Sequence, residues 1–403
     1  MGLDIKKKDK KLTLSKDDKQ QPKEKKSLLN MDIKDIKKYF SKKKNSQAVS
    51  ASRDKKKSVV AFDIGTTTIK MVQGMYYKGK LTIDTCVKIK TPSNSIEEGE
   101  IKNRDAISTM IGAAVRQYNI RAKDAICTTN PTSIINREIS VPKVEPDELE
   151  TVVRYEIQQY LPINLDDCIL QMTVLGEVED EFDGKTKLNV RVIAYPKRVA
   201  LEYYRLLSDL NLRPYALDVN FNAINKLVNI TEMNKTENDV NGSIALLDMG
   251  ANFIDVNIYK GENLDFTRRI KAGGKDVDES LIFNGAFTEE NVTHAKFNEV
   301  DLTDTSGVKL ETKITEEVVN EWIEKIEMIL QFYRNKDVGN HIEKIFIFGG
   351  SSRFKGLAEY ISGKIGIPVA SINNISHVAF KRAEFNGPML SDYINAIGSV
   401  IRL

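Results

Sequence analysis

The sequence predicts an α/β protein with two related halves and a phosphate-binding clamp between them. The first observation is an apolar run that ends in Asp63-Ile64-Gly65, and the second is a similar run that ends in Asp248-Met249-Gly250. Apolar runs of this length are typical of buried strands. A third run, 345–348, ends in two glycines and two serines. Any tight turn can use Asp and Gly, but the repetition in matching contexts favours a duplicated fold.

The turns after these strands carry residue types that suit a nucleotide phosphate chain. Glycine lets the backbone approach a ligand closely, and the N–H groups of a tight turn form an anion-binding concavity. A carboxylate beside a phosphate is repulsive unless a cation lies between them, so we expect Asp63 and Asp248 to face Mg²⁺ through its waters. The predicted nucleotide-binding residues are Asp63, Gly65, Thr66, Thr67, Thr68, Lys70, Asp248, Gly250, Ala251, Asn252, Gly273, Gly274, Gly349, Gly350 and Ser351.

The first half is predicted to contain three strands, a helix and a fourth strand. The strands are 59–62, 69–75 and 81–89, and a turn around Gly79 separates the last two. A helix over 105–118 places Ile107, Ile111, Ala114 and Val115 on one face, and 125–128 is the fourth strand.

An α+β insert is predicted over 134–214. It begins with a strand, 137–142, and a helix whose first turn contains Glu145 and Pro146 and which stops before Pro162. Two strands, 170–179 and 187–194, are joined by Asp183-Gly184, and a helix over 198–210 closes the insert.

The second half repeats the pattern of the first. Strands are predicted over 244–247, 254–259 and 264–270, and a helix follows Gly273-Gly274. Residues 283–310 are polar and are expected to be irregular. A long helix over 315–334 carries Trp322, the one tryptophan, on its packing face.

Composition separates a basic leader from an acidic body. Residues 1–57 hold 20 Lys and Arg against 8 Asp and Glu, whereas the whole chain has a net charge of only +3. The leader is expected to be mostly disordered, with a short amphipathic helix through Leu29, Ile33, Ile36 and Phe40. Three interpretations of this helix are open. It is a solvated run of charges, an element that docks on the protein's own body or on a partner, or a contact with a membrane surface. Met31 offers an alternative start of translation, which would leave residues 1–30 as a dispensable extension.

Several function classes find no support in the sequence. No apolar stretch approaches the ~18 residues of a membrane span, and no P-loop or Gly-x-Ser-x-Gly elbow is present. The three cysteines and three histidines have no metal-ligand spacing. Basic charge alone carries no motif for a specific nucleic acid.

The chain resembles a known family in its three strand–turn elements. The three strand–turn elements are similar to the two phosphate motifs and the adenosine motif of the actin/Hsp70/sugar-kinase superfamily. Within its FtsA-like branch, 61–70, Glu156–Pro162 and Arg269–Gly274 resemble the PilM family of type IV pilus assembly proteins. The resemblance covers roughly 58–403. It implies a two-lobed actin-like ATPase fold, a duplicated ribonuclease H-like architecture with an FtsA-type 1C insert.

The resemblance also implies domain boundaries, ligands and partners. The first lobe would span 58–133 and 215–240, the insert 134–214 and the second lobe 241–403. ATP and Mg²⁺ are the implied ligands. The implied partners are the cytoplasmic tail of a PilN-like bitopic membrane protein and pilus motor ATPases, at the inner face of the cytoplasmic membrane. The predicted partner groove consists of Tyr155, Gln159, Tyr160, Leu161 and Pro162.

Hydrolysis is less securely predicted than binding, because it needs a group that positions the attacking water. Related proteins often have Glu at the start of the helix that connects the halves, and here Asn220 occupies that place. Asn is not a base at neutral pH, so either Asp218 or Asp248 orients the water or turnover is very slow. Asp63 and Asp248 are the candidate catalytic residues. The alternatives are a filament protein of the FtsA or MreB kind and a kinase of the same superfamily.

Overall fold

The computed structural model describes residues 56–402, apart from 161–163, 181–183, 232–241, 262, 305, 308, 383–384 and 386. The predicted leader helix, Leu161 and Pro162 therefore lie outside the described residues, as does the side chain of Tyr160. Residues Arg53–Leu403 form one compact unit.

Sixteen strands and nine helices are described within that unit. In chain order the strands are β1 (Val59–Ile64), β2 (Thr68–Tyr77), β3 (Lys80–Lys90), β4 (Ile96–Glu97), β5 (Glu100–Ile101), β6 (Asp124–Thr129), β7 (Ile135–Pro142), β8 (Cys168–Glu179), β9 (Thr186–Pro196), β10 (Arg213–Val219), β11 (Ser243–Met249), β12 (Ile254–Lys260), β13 (Asn263–Ile270), β14 (Ile342–Phe348), β15 (Val369–Ser371) and β16 (Val378–Phe380). The helices are α1 (Arg104–Gln117), α2 (Leu149–Tyr160), α3 (Lys197–Asp209), α4 (Asn220–Thr231), α5 (Gly274–Phe283), α6 (Val292–Glu299), α7 (Leu310–Lys336), α8 (Leu357–Ile365) and α9 (Ile394–Val400). Short 3₁₀ helices occur at Leu165–Asp167, Gly350–Arg353 and Pro388–Tyr393.

Two large sheets have the same topology. The first has the strand order β10-β6-β1-β2-β3-β16, and the second has the order β13-β12-β11-β14-β15. In each, a three-stranded antiparallel meander comes first, and two strands then add in parallel beside its first strand. Five consecutive strands of both sheets thus lie in the order 3-2-1-4-5. The duplication predicted from the two Asp-x-Gly turns is confirmed.

The two large sheets contribute to two hydrophobic cores, and Ile244, Leu246 and Phe348 of the second sheet belong to the first of them. The first core is built on β1, β2, β3 and β6 with α1, α3, α4 and α9, and the second on β11, β12 and β14 with α5, α7 and α8. The side chain of Trp322 on α7 is buried in the second core, as its position on the packing face predicts.

The insert is a small sheet with one helix. Strands β7, β9 and β8 form a three-stranded antiparallel sheet in that order, and Val153 and Ile157 of α2 pack on it. The helix α2 begins at Leu149, four residues after the predicted start. The residues before it form a turn instead, in which the Glu148 N–H donates to the Glu145 carbonyl over 3.0 Å.

Two further elements differ from the prediction. The stretch 283–310 is not wholly irregular, because it contains the helix α6, which buries Val292 and Lys296. The long helix α7 begins at Leu310, five residues before the predicted start.

Two parts of the chain that the sequence assigns to the second lobe and to the insert pack on the first sheet, and the lobe boundaries stay predictions. Strand β16 pairs in parallel with β3 of the first sheet, and α9 packs on α4 and β1, although the predicted second lobe extends to residue 403. Helix α3, predicted to close the insert, buries Val199, Tyr203 and Leu206 in the first core. Apolar side chains of these segments complete the first core, which accounts for their placement.

Candidate functional site

The two Asp-x-Gly turns have the same backbone geometry. The Gly65 N–H donates to the Thr68 carbonyl over 3.0 Å, and the Gly250 N–H donates to the Phe253 carbonyl over 2.9 Å. In each hairpin the aspartate at the end of the first strand faces a residue of the second strand, Lys70 in one case and Asp255 in the other. The sequence therefore places equivalent carboxylates on equivalent turns.

The turns meet in one cleft at the carboxyl ends of the parallel strands, which is where ligands bind in open α/β sheets. The cleft encloses about 140 Å³. Most of the predicted site residues line it: Asp63, Gly65, Thr66, Thr67, Thr68, Lys70, Asp248, Gly250, Ala251, Asn252 and Gly350. Four predicted residues, Gly273, Gly274, Gly349 and Ser351, lie behind this lining.

Gly274 and Ser351 donate hydrogen bonds to the second turn, and Gly273 packs closely against it. The Gly274 N–H and the Ser351 hydroxyl both donate to the Gly250 carbonyl, at 3.0 and 2.8 Å. A Cβ on Gly273 would lie 2.4 Å from the Ala251 carbonyl oxygen, and one on Gly274 would lie 2.3 Å from the Ser351 hydroxyl. These glycines are therefore needed for the close approach of α5 to the turn.

Gly349 has a different reason to be glycine. Its φ is +90°, and a Cβ there would lie 2.6 Å from a carboxylate oxygen of Asp248. Both the left-handed backbone and the absence of a side chain let β14 end directly against Asp248.

Asp63 has its own cation in the cleft. The Lys70 ammonium lies 3.3 Å from Asp63 Oδ2, and both side chains are largely buried. Burial acts to lower the pKa of Lys70, but the charges of Asp63, Asp248 and Asp392 outweigh it and hold that pKa above its ordinary value. Lys70 therefore stays protonated and is placed to neutralise anionic groups at the first turn.

Asp248 forms no ion pair with any residue that the structure describes. Asn395 Nδ2 donates to it over 2.8 Å. Burial, together with the nearby charge of Asp255, raises the pKa of Asp248 to about 7, against the opposing effect of the Asn395 hydrogen bond. Close to neutral pH this carboxyl is divided between its neutral and ionised forms, so a cation that favours ionisation would change its charge.

A bridge across the cleft was not predicted from the sequence. Asp255 on β12 accepts hydrogen bonds from Arg269 Nε at 2.7 Å and from Asn130 Nδ2 at 2.8 Å. Asn130 follows β6 of the first sheet, so Asp255 links the two halves. One signal was available in the sequence, since Asp255 follows Asp248 at the same spacing at which Lys70 follows Asp63.

The oxygen atoms of the cleft fit a hydrated divalent cation. Besides the two predicted carboxylates, the Oδ1 atoms of Asn252 and Asn395 are buried and have no hydrogen-bond partner among the described residues. Within the same part of the chain, no cluster of three His, Cys, Asp or Glu side chains could hold a metal ion. Mg²⁺ keeps several waters and is bound through few carboxylates, so a set of two carboxylates with free acceptors for its waters suits it.

The structure decides between the two carboxylates considered for positioning water. Asp218 does not line the cleft. It is buried in an ion pair with Lys226 at 2.6 Å and also accepts hydrogen bonds from Asn222 and Arg402. Asn220 does line the cleft, where its Oδ1 accepts a hydrogen bond from the Thr128 hydroxyl. Asp218 is therefore structural.

Two residues of the predicted partner groove are described with their side chains. Tyr155 is 68% exposed, although it is a large aromatic, and Gln159 one helical turn later is also exposed. Both lie on the outer face of α2, while Val153 and Ile157 point into the insert.

A family model described as Type IV pilus assembly protein PilM matches residues 61–402. The chain belongs to this family. Among the described residues, no helix is both long and apolar enough to cross a membrane.

Solved structures support the fold assignment. A chain of a PilM–PilN type IV pilus biogenesis complex is similar with a TM-score of 0.72 at 20% identity, over 85% of this chain and 97% of that chain. The ethanolamine utilization protein EutJ from Carboxydothermus hydrogenoformans is similar with a TM-score of 0.51 at 11% identity, over 85% and 89% of the two chains. At these identities the likeness concerns the fold, and the predicted two-lobed actin-like architecture is confirmed.

Proposed function

We propose that this protein is an ATP-binding scaffold of the type IV pilus assembly machinery. The observation that carries nucleotide binding is the pair of equivalent turns, Gly65–Thr68 and Gly250–Phe253, which face one cleft with an aspartate at the base of each. Backbone N–H groups, threonine hydroxyls and the Lys70 ammonium are suitable partners for phosphate oxygens.

Mg²⁺ would be held between the two halves of the cleft. Asp63 and Asp248 would bind it through its waters, and the free Oδ1 atoms of Asn252 and Asn395 would accept hydrogen bonds from those waters. A bound cation of this kind neutralises phosphate charge. Asp248 must be ionised to contribute.

We infer that hydrolysis is slow or negligible. Asn220 stands where related proteins often have a carboxylate, and its Oδ1 is occupied by the Thr128 hydroxyl. Asp218, the nearest alternative, is engaged by Lys226. ATP would then act as a conformational ligand that holds the two lobes together.

Calorimetric titration of ATP with and without Mg²⁺ tests the nucleotide site. Asp63→Ala and Asp248→Ala should each weaken Mg²⁺-dependent binding at least about tenfold, which corresponds to ~1.4 kcal/mol. Asp166→Ala is the matched control, because that side chain is 92% exposed and lies outside the cleft. Wild-type affinity in both cleft variants would refute the assignment.

We also propose that the partner is the cytoplasmic tail of a PilN-like bitopic membrane protein. Family membership and the similarity to a PilM–PilN complex support this, as does the exposed Tyr155 on α2. Tyrosine suits such an edge, because it combines an apolar ring with a polar tip. This partner would keep the protein at the cytoplasmic face of the membrane, near the pilus motor ATPases.

A pull-down with a PilN-like tail peptide tests the groove. Tyr155→Ala should abolish capture without a shift in the melting temperature, because the side chain is exposed. Tyr118→Ala is the control, since Tyr118 is an exposed tyrosine at the end of α1. Undiminished capture by Tyr155→Ala would place the partner elsewhere.

A further inference from the structure

A second cavity lies where the insert meets the second sheet. We call it the seam pocket, and its volume is about 280 Å³. Its principal lining residues are Arg137, Arg191, Phe266, Arg268, Phe332 and Lys336. They come from strands β7 and β9 of the insert, from the edge strand β13 and from the end of α7. None of them lines the nucleotide cleft.

The seam pocket and the nucleotide cleft share no lining residue. Arg268 and Arg269 are consecutive residues of β13, and consecutive side chains of a strand point to opposite faces. Arg269 lines the cleft and pairs with Asp255, whereas Arg268 lines the seam pocket.

Neighbouring side chains already contact both carboxylates of the pocket. Arg191 forms an ion pair with Glu138 and donates a hydrogen bond to the Leu264 carbonyl, which ties the insert to β13. Asp265, the other carboxylate of the pocket, accepts a hydrogen bond from the Tyr333 hydroxyl at 2.8 Å. Both carboxylates of the pocket therefore have partners.

The cations at the rim have no such partners. Within the described part of the chain, Arg137, Arg268 and Lys336 form no ion pair. Burial and the neighbouring charge of Arg137 lower the pKa of Arg268, and the charge of Glu138 opposes this only in part. The pocket holds more cations than carboxylates, which contrasts with the acidic balance of the body as a whole.

An exposed apolar surface adjoins these cations. Phe332 is 54% exposed, and Met328, one turn earlier on α7, is 62% exposed. The ring of Phe332 lies 5.6 Å from that of Phe266, and the Arg268 guanidinium lies 4.4 Å from the Phe266 centroid. Aromatic residues, methionine and arginine are enriched at protein interfaces.

We propose that the seam pocket binds an acidic segment of a partner protein, with carboxylates beside Arg137, Arg268 and Lys336 and an apolar side chain against Phe332. The partner segment should be acidic because its charge then complements the cations of the pocket. It should also carry an apolar side chain, because Phe332 and Met328 are exposed beside those cations.

Fluorescence polarisation tests the proposal with the full chain. The probe is a labelled peptide in which glutamates flank a phenylalanine, and its control is the same peptide with glutamines. The acidic peptide should bind at least about tenfold more tightly, and added salt should weaken it. Equal binding of the two peptides, or displacement of the acidic peptide by single-stranded DNA or by inorganic phosphate at the same concentration, would overturn the proposal.

Charge reversal locates the site. Arg268→Glu and Lys336→Glu should each weaken binding of the acidic peptide at least about tenfold. Arg334→Glu is the matched control, since it makes the same charge change on the last turns of α7 and does not line the pocket. Lys336 is exposed, so its substitution tests the site without endangering the fold. Wild-type affinity in Arg268→Glu and Lys336→Glu, or an equal loss in Arg334→Glu, would refute the assignment.

Discussion

Asp248 is predicted to reduce the stability of the nucleotide-free protein above neutral pH. Its pKa lies at about 7 because it is buried and because Asp255 is close to it. The folded state therefore holds a proton on this carboxyl at pH values at which the unfolded chain has released it. The contribution of Asp248 to the free energy of unfolding is fully present below the ordinary pKa of 3.8. It is lost as the pH rises through about 7. Asp248→Asn, which is similar in shape and never ionises, should remove this dependence.

The size of the effect follows from the two pKa values. A difference of one in pKa corresponds to about 1.4 kcal/mol, so a pKa near 7 in place of 3.8 corresponds to at most about 4 kcal/mol. Asp248 lines a cleft that solvent reaches, which screens its charge, and we expect about half of that value. At pH 8, Asp248→Asn should therefore be more stable than the natural protein by ~2 kcal/mol. At pH 4 the two should differ little.

Urea denaturation of the nucleotide-free protein at several pH values measures this difference. Asp63→Asn is the informative counterpart, because it removes the equivalent carboxylate of the first turn but leaves Lys70 buried without its nearest partner. That variant should be destabilised at neutral pH. If Asp248→Asn kept the pH slope of the natural protein, or if both variants changed stability in the same direction, the reasoning would be refuted.

Three further predictions follow from the same contacts. Binding of ATP with Mg²⁺ should release a proton near pH 6.5, since Asp248 must ionise; calorimetry in buffers of different ionisation enthalpy should give different heats, and identical heats would contradict this. Gly349→Ala should weaken nucleotide binding and lower the melting temperature, whereas Gly350→Ala, with no protein atom close to its Cβ, should leave the melting temperature unchanged. Lys226→Met should cost ~3–5 kcal/mol in urea denaturation because it removes the nearest cation from the buried Asp218; a loss below ~1 kcal/mol would show that Arg402 suffices.

The parts of the fold that were predictable are those in which local pattern and tertiary role agree. The hairpins β1–β2 and β11–β12 each lie within about twenty consecutive residues, so the apolar runs and the turn glycines identify them without knowledge of distant contacts. The four-residue turns, with Gly65 and Gly250 as their first residues, follow from the same signal.

The return of the chain to the first sheet could not be predicted in this way. Strand β16 has only three residues, and its partner β3 lies almost three hundred residues earlier. Helix α9 is buried on all sides, so it has no polar face and no helical period to recognise. Segments of this kind obtain their structure from the core that they complete. The lobe boundaries predicted from the sequence remain predictions, because local pattern does not show which core a segment completes.

The residues of the nucleotide cleft were also predictable only in part. Residues contiguous with the turns were predicted, whereas Asn130, Asn395 and Arg269 reach the cleft from other elements. Asn130 and Asn395 follow no local motif, since an asparagine after a strand or near a helix start is common. Only the three-dimensional arrangement places their amides on Asp255 and Asp248.

The two halves of the duplicated fold are equivalent in backbone but opposite in charge, and this difference assigns them different roles. At equivalent positions the first hairpin carries Lys70 and the second carries Asp255. Lys70 supplies positive charge to the cleft, whereas Asp255 is neutralised by Arg269 and is bound by Asn130 of the other half. The first turn is thus equipped to attract an anion, and the second to hold the lobes together. A phosphate chain that bridged both turns would add a second link between the two halves beside Asn130.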